Sequence, residues 1–158
     1  MVLDRDTNIH PEIWELLNEV PDPEIPAINL VELGVIRTVE RTDDGTIYIV
    51  ITPTYTGCPA KQLFKDLILE KLAEYGHHKV EITSRLNPAW TTDWMSDATK
   101  EKLLKIGISP PSVGDRVIVC PQCKSTDTKL LSPFGSVACQ SMYSCNTCKE
   151  PFSYFKCH

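Results

Sequence analysis

Thr52-Pro53-Thr54-Tyr55-Thr56-Gly57-Cys58-Pro59 decides how the first part of this chain is read. Before it, Ile47, Ile49 and Ile51 alternate with Tyr48 and Val50, a strand pattern apolar enough to be central and largely buried. After it, Leu63, Phe64, Leu67, Ile68 and Leu72 recur on one helical face, and Gly76 supplies a C-cap. The stretch is therefore a strand–turn–helix connection. Pro59 suits the first helical position and so places Cys58 near the N-cap. Orphan backbone N–H groups and the positive end of the helix dipole would face its sulfur there. That setting favours thiolate, the form that ligates metal or attacks an electrophile. Thr52, Thr54 and Thr56 add hydroxyl donors. The bland alternative is a small buried hydrophobe. No His or carboxylate stands beside Cys58 in sequence as a base, so ligation is a better reading than covalent catalysis.

Outward from this stretch the chain alternates helix and strand. Pro11 opens a helix that carries Ile13, Trp14, Leu16, Leu17 and Val20. Pro21-Asp22-Pro23-Glu24-Ile25-Pro26 stops it and predicts an ordered turn or loop. Asp22 and Glu24 are candidate site carboxylates, with turn and capping chemistry as the alternative. Val35–Val39 reads as a strand, Asp43-Asp44-Gly45 as a hairpin turn, and Val80, Ile82 and Leu86 as a third strand ended by Asn87-Pro88-Ala89-Trp90. Ser96 caps a last helix through Leu103, Leu104 and Ile106, closed by Gly107. His77-His78, just past a helix end, read as solvated. The expected fold class is α+β, in the order α-β-β-α-β-α, with helices on one face of a small mixed sheet.

The chain has 158 residues, with 42% apolar and 23% charged, a globular composition. No run approaches the roughly 20 apolar residues of a membrane span. The N-terminus shows no apolar core behind a basic start, so the expectation is a cytoplasmic protein without a membrane role. Residues 1–119 carry 12 Lys/Arg against 19 Asp/Glu, and residues 120–158 carry 4 against 2. Neither balance makes the field that collects nucleic acid, so nucleic-acid binding is not favoured.

Six of the seven cysteines lie in residues 120–158. An odd, clustered count argues against a disulfide framework and for metal binding. Cys120-Pro121-Gln122-Cys123 and Cys145-Asn146-Thr147-Cys148 are two CxxC knuckles with 21 residues between them. Two such knuckles complete a closed tetrahedron of thiolates, a structural site for one zinc per chain, zinc being favoured over iron. So small a module needs the metal as its staple. Its strands are expected around Lys129-Leu130-Leu131 and Tyr154-Phe155-Lys156. Phe134, Tyr143, Phe152 and Phe155 are expected as its core, a stacking surface being the alternative. Cys139, Cys157 and His158 are left over; they either pack or join Cys58 in a second thiolate-rich site. Two prolines at Pro110-Pro111 mark the break, giving domains 1–112 and 113–158.

Asp22-Pro23-Glu24, Leu33-Gly34-Val35-Ile36, the Thr52–Pro59 stretch and Asn87-Pro88-Ala89-Trp90 together resemble the small domain of the SufT-like family of iron–sulfur assembly factors. Cys58 matches that family's single motif cysteine. With the ribbon, Phe134-Gly135-Ser136, Ala138-Cys139 and the terminal Phe155-Lys156-Cys157-His158, the chain resembles the family of D subunits of bacterial phenylacetyl-CoA epoxidase systems over nearly its full length. One departure is Glu32, where that family usually has Asp.

The resemblance implies an accessory protein of aerobic phenylacetate catabolism that is not itself an enzyme. It implies help in assembling an iron–sulfur or other metal centre of the reductase or oxygenase component, with those two components as partners. A transient iron–sulfur cluster on Cys58, with Asp22 and Glu24 nearby, would follow, and a homodimer is compatible with it. The rival reading is a structural subunit that bridges oxygenase and reductase. No carboxylate-rich diiron motif, glycine-rich dinucleotide fingerprint or P-loop is present in the sequence.

Overall fold

The computed structural model describes residues 9–111 and 117–156. The chain divides into two compact units, Met1–Trp90 and Thr91–His158.

In the first unit, helix α1 spans Pro11–Leu17, with Pro11 in its first turn and Ile13, Trp14 and Leu17 turned inward. Pro21 bridges to Asn29 across the proline-rich turn. A one-turn helix α2, Leu30–Leu33, follows. The sequence reading missed it because four residues are too short for an apolar period. Its signal is a capping box: the Asn29 side chain accepts from the Glu32 N–H at 2.8 Å, and Glu32 Oε2 accepts from the Asn29 N–H at 3.0 Å. Glu32 thus has a local structural role that explains an acidic residue there.

Strands β1 (Ile36–Arg41), β2 (Ile47–Ile51) and β3 (Val80–Ser84) form one sheet in that order. β1 and β2 are antiparallel, whereas β2 and β3 are parallel and joined by helix α3 (Lys61–Glu74). The mixed sheet is as expected, and β2 is its central strand. Ile47, Ile49 and Ile51 are all buried, while Tyr48 on the other face is exposed. Leu86 lies outside β3 and is exposed. Helix α3 buries Phe64, Ile68 and Leu72, one residue per turn. Leu63, expected on that face, is exposed. Gly76 ends the helix at φ +86°, a left-handed conformation that favours glycine, and the next N–H, of His77, closes onto the Leu72 carbonyl. The Trp90 indole N–H donates to the Leu33 carbonyl at 2.9 Å and ties the end of the unit to its core.

The second unit begins with a 3₁₀ turn, Thr92–Trp94, and helix α4, Asp97–Lys105. Ser96 caps α4 by accepting from the Thr99 N–H at 3.1 Å, as its position before the helix predicts. The division of the units falls before the composition break at Pro110-Pro111. α4 leads into β4 (Ile108–Ser109), and β4 pairs in parallel with β7 (Pro151–Phe155). β5 (Thr128–Ser132) and β6 (Gln140–Cys145) complete a four-stranded sheet in the order β4-β7-β6-β5. The outer and return strands lie close to their expected places. β6 is not legible in the sequence, because its Ser, Gln and Met residues carry no apolar alternation. Phe152 and Phe155 are buried, but Phe134 is 69% exposed and is not core. It lies two residues past the end of the edge strand β5, with the Lys156 ammonium over its ring.

Candidate metal centre

Each knuckle of the ribbon is built by the same backbone device. The Cys120 N–H donates to the Ser125 carbonyl at 2.8 Å, and the Lys124 N–H donates to the Cys120 carbonyl at 2.9 Å. One ribbon arm later, the Cys145 N–H donates to the Glu150 carbonyl and the Lys149 N–H to the Cys145 carbonyl, both at 3.0 Å. Lys124 and Lys149 both take left-handed backbone, at φ +63° and +67°. Each lysine ammonium turns back onto the carbonyl three residues earlier, that of Pro121 or Asn146. The repeated hydrogen bonds turn both cysteines of each knuckle toward one point.

The four Sγ atoms of Cys120, Cys123, Cys145 and Cys148 all lie within 4.8 Å of one another. The cross-knuckle pairs are 3.7 Å (Cys120 to Cys148) and 3.5 Å (Cys123 to Cys145). A zinc–sulfur bond of about 2.3 Å sets a tetrahedral edge of about 3.8 Å, so the thiol set fits a tetrathiolate ion. Cys120 and Cys145 are fully buried, and Cys123 is exposed. The Cys148 N–H points at Cys145 Sγ at 3.5 Å and, as the leading influence, brings that thiol down to about 6. Cys148 of the same knuckle is pushed up to about 12, so Cys145 is ready to ligate while Cys148 gives up its proton only as an ion binds. Behind the knuckles, Ile118, Phe152 and Tyr154 pack with Cys120 and Cys145, and Tyr143 meets Tyr154 edge-on at 5.5 Å. Four thiolates at this spacing would leave a tetrahedral ion no open position, the arrangement of a structural site.

In the first unit the Thr52–Pro59 stretch leaves β2 and enters α3, as the sequence predicts. Cys58 is not at the N-cap, however. The cap is Ala60 and the helix starts at Lys61. A turn intervenes, in which the Cys58 N–H donates to the Tyr55 carbonyl at 3.2 Å. Cys58 is only 8% exposed, and burial pushes its thiol above the ordinary value. The backbone N–H groups of Ala60 and Lys61 oppose that rise, while the Glu24 and Asp22 carboxylates add to it. The helix start therefore reaches the sulfur, but desolvation wins, and the free thiol is held neutral rather than as the thiolate expected from position.

Asp22 Oδ1 accepts from the Glu24 and Ile25 N–H groups at 2.8 and 2.7 Å, so Asp22 builds the turn between the prolines. Burial raises its carboxyl above the ordinary carboxylate value, against the pull of those two N–H groups. Thr52 and Thr54 are buried, and the Thr52 hydroxyl has no hydrogen-bond partner among the described residues. Thr56 is exposed. The charges of Asp22 and Glu24 thus reach Cys58. Yet among the described residues only the ribbon cysteines converge to metal-ligand spacing. Cys139 is buried in the second unit, and its carbonyl accepts from the Lys156 N–H. Cys157 and His158, the other candidate ligands, lie outside the described residues. No helix among the described residues is long and apolar enough to cross a membrane.

The two units match separate family models. Residues 11–83 match the family of iron–sulfur cluster assembly proteins, and residues 110–156 match the PaaD zinc beta ribbon domain. A protein of Escherichia coli (strain K12), provisionally assigned as the D subunit of 1,2-phenylacetyl-CoA epoxidase, is 44% identical, with 92% of each chain covered. The Fe-S protein maturation auxiliary factor YitW of Bacillus subtilis (strain 168) is 35% identical over 56% of this chain and 86% of its own. A crystal structure of a domain of unknown function (DUF59) from Bacillus anthracis superposes with a TM-score of 0.56 at 24% identity, covering 61% of this chain and 92% of its own. It shares the fold.

Proposed function

The chain belongs to the family of phenylacetyl-CoA epoxidase D subunits, and from that membership we propose that it is a maturation factor of the phenylacetyl-CoA ring-epoxidation pathway. It has an accessory role related to iron–sulfur assembly, as the names of its relatives indicate. Its cargo is iron or an iron–sulfur cluster destined for the reductase or oxygenase component. The ribbon keeps one zinc as a permanent staple on Cys120, Cys123, Cys145 and Cys148. Cys58 is the transient ligand for the cargo.

The observation that carries this reading is the environment of Cys58. Cys58 is 8% exposed in the turn between β2 and α3, its N–H on the Tyr55 carbonyl, and burial raises its thiol, with the Glu24 and Asp22 charges adding to the rise. Such a thiol is protected while empty. An arriving cation reverses the local balance, because it favours the deprotonated sulfur and carboxylates together. Asp22 keeps the turn in place, and the buried Thr52 hydroxyl, just past the end of β2, adds an acceptor at the start of the loop.

The test is the cluster content of the client. In cells carrying Cys58→Ser, the reductase component is expected to accumulate with less iron and sulfide than in wild-type cells. Unchanged client cluster content would remove Cys58 from the assignment and favour a bridging role between oxygenase and reductase.

A further inference from the structure

Two lysines stand where the turns of the metal centre call for glycine. Lys124 follows Cys123 and Lys149 follows Cys148, the second cysteine of each knuckle. Both take left-handed backbone, at φ +63° and +67°. Glycine adopts that conformation without the clash that a Cβ brings, and lysine is not among the residues that favour it. Among the described residues His10 alone joins them at positive φ without being glycine. The same exception at the same step of both knuckles points to the side chain as its reason.

The side chains repeat as well. The Lys124 ammonium donates to the Pro121 carbonyl at 3.2 Å, and the Lys149 ammonium donates to the Asn146 carbonyl. Each carbonyl belongs to the residue after the first cysteine of its knuckle, inside the CxxC turn. In the second knuckle the other end of that peptide group is the Thr147 N–H. It acts on the Cys145 sulfur together with the Cys148 N–H, which lies at 3.5 Å. The ammonium therefore pulls on the oxygen of a peptide whose N–H serves a ligand sulfur. Groups linked in this way polarise one another, which strengthens the contact to a charged sulfur.

The ligand set supplies the need. Four thiolates around a dication carry more negative than positive charge. Cys120 and Cys145 are fully buried, so water screens their sulfurs poorly. Repulsion among the thiolates favours losing the ion, and a cation fixed beside them opposes that loss. The lysines do not act by making the region basic, because Asp127 and Glu150 stand in the same two segments. The Asp127 carboxylate is engaged by the Asn146 side-chain amide at 2.8 Å. What sets the lysines apart is the place of their charge, tied to the turns that carry the ligands.

We propose that Lys124 and Lys149 are positioning residues that retain the ion: each ammonium, tethered to a knuckle carbonyl, offsets the charge of the loaded tetrathiolate and slows release. This inference rests on the zinc reading above for the identity of the ion. The test follows transfer of zinc from the full-length, zinc-loaded chain to an excess of the chromogenic chelator pyridylazoresorcinol, at low and high salt. Lys124→Gly and Lys149→Gly ease the backbone and remove the charge, so a backbone role and a charge role predict opposite signs. Retention by charge predicts faster release, about tenfold when both lysines are replaced. A backbone role alone predicts release no faster than wild type. Lys124→Gln and Lys149→Gln keep a polar side chain without the charge and are expected to behave as the glycine variants do. Lys124→Arg and Lys149→Arg are expected to stay close to wild type. Both lysines are exposed, so the difference is expected to narrow at high salt. Lys156→Gln, whose ammonium lies over the Phe134 ring instead, is expected to release zinc as wild type does. The proposal is overturned if the glycine and glutamine variants release zinc no faster than wild type, if salt leaves the difference unchanged, or if Lys156→Gln speeds release as much. Wild type that holds no zinc overturns the zinc reading and the proposal with it, whereas zinc held equally by wild type and all variants overturns the role of the lysines alone.

Discussion

At the scale of single residues, Cys58 and Asp22 show how burial redirects chemistry that position alone suggests. The start of α3 does bring N–H groups toward Cys58, but burial outweighs them and the thiol is raised. A raised thiol has less thiolate at neutral pH. Alkylation of Cys58 in the metal-free protein, followed peptide by peptide in a mass spectrometer, is therefore expected to be slow at pH 7. It should keep rising about tenfold per pH unit to pH 9 without levelling. A plateau below pH 8 would contradict the assigned environment. Asp22 has the same sign for a different group. Its raised carboxyl means that the folded state holds the proton more tightly than the unfolded state. Its contribution to stability is then largest at low pH, and it falls as pH rises from the ordinary value of 3.8 through the folded value. Asp22→Asn keeps the acceptor oxygen for Glu24 and Ile25 and removes the titration. Urea denaturation of the variant is expected to show a flatter stability profile across that window than wild type.

At the scale of elements, apolar rhythm and cap residues were the legible signals. The three isoleucines of β2, the Phe64–Ile68–Leu72 face of α3 and the Ser96 cap of α4 all lie where sequence reading places them. Ile68 is fully buried. Ile68→Ala is expected to cost about 3 kcal/mol of stability by denaturant unfolding, since it leaves a cavity in the core. Elements set by hydrogen bonds rather than apolar rhythm were harder to read. α2 rests on one capping box, β6 on pairing to both neighbours, and the knuckles on two lysines in left-handed backbone where glycine would be looked for. The spacing of four cysteines overrode all of this at the metal centre, because CxxC fixes the local geometry whatever surrounds it. The Cys58 loop had no such redundancy. A turn separates its thiol from the helix, and nothing in the composition of Thr52–Pro59 gives that turn's length.

At the scale of the whole molecule, two compact units draw on different sources of stability. The first unit has a buried sheet of isoleucines packed with helices, an apolar core of the ordinary kind. The second has only a small aromatic cluster around Cys120 and Cys145, for which a metal on the four thiols would be the staple. A strong chelator is expected to speed amide hydrogen exchange across residues 117–156 while leaving that of β1, β2 and β3 unchanged. Equal loss of protection in both units would mean that the zinc holds more than the ribbon. The division of labour, a permanent zinc in one unit and a passing cargo at Cys58 in the other, is the central claim. It is tested most directly by the zinc, iron and sulfide content of wild type and Cys58→Ser, purified without oxygen, before and after cluster reconstitution. The account predicts about one zinc per chain in every sample, with iron and sulfide gained by wild type and not by Cys58→Ser. Zinc alone in both proteins, with no iron taken up by either, would contradict it.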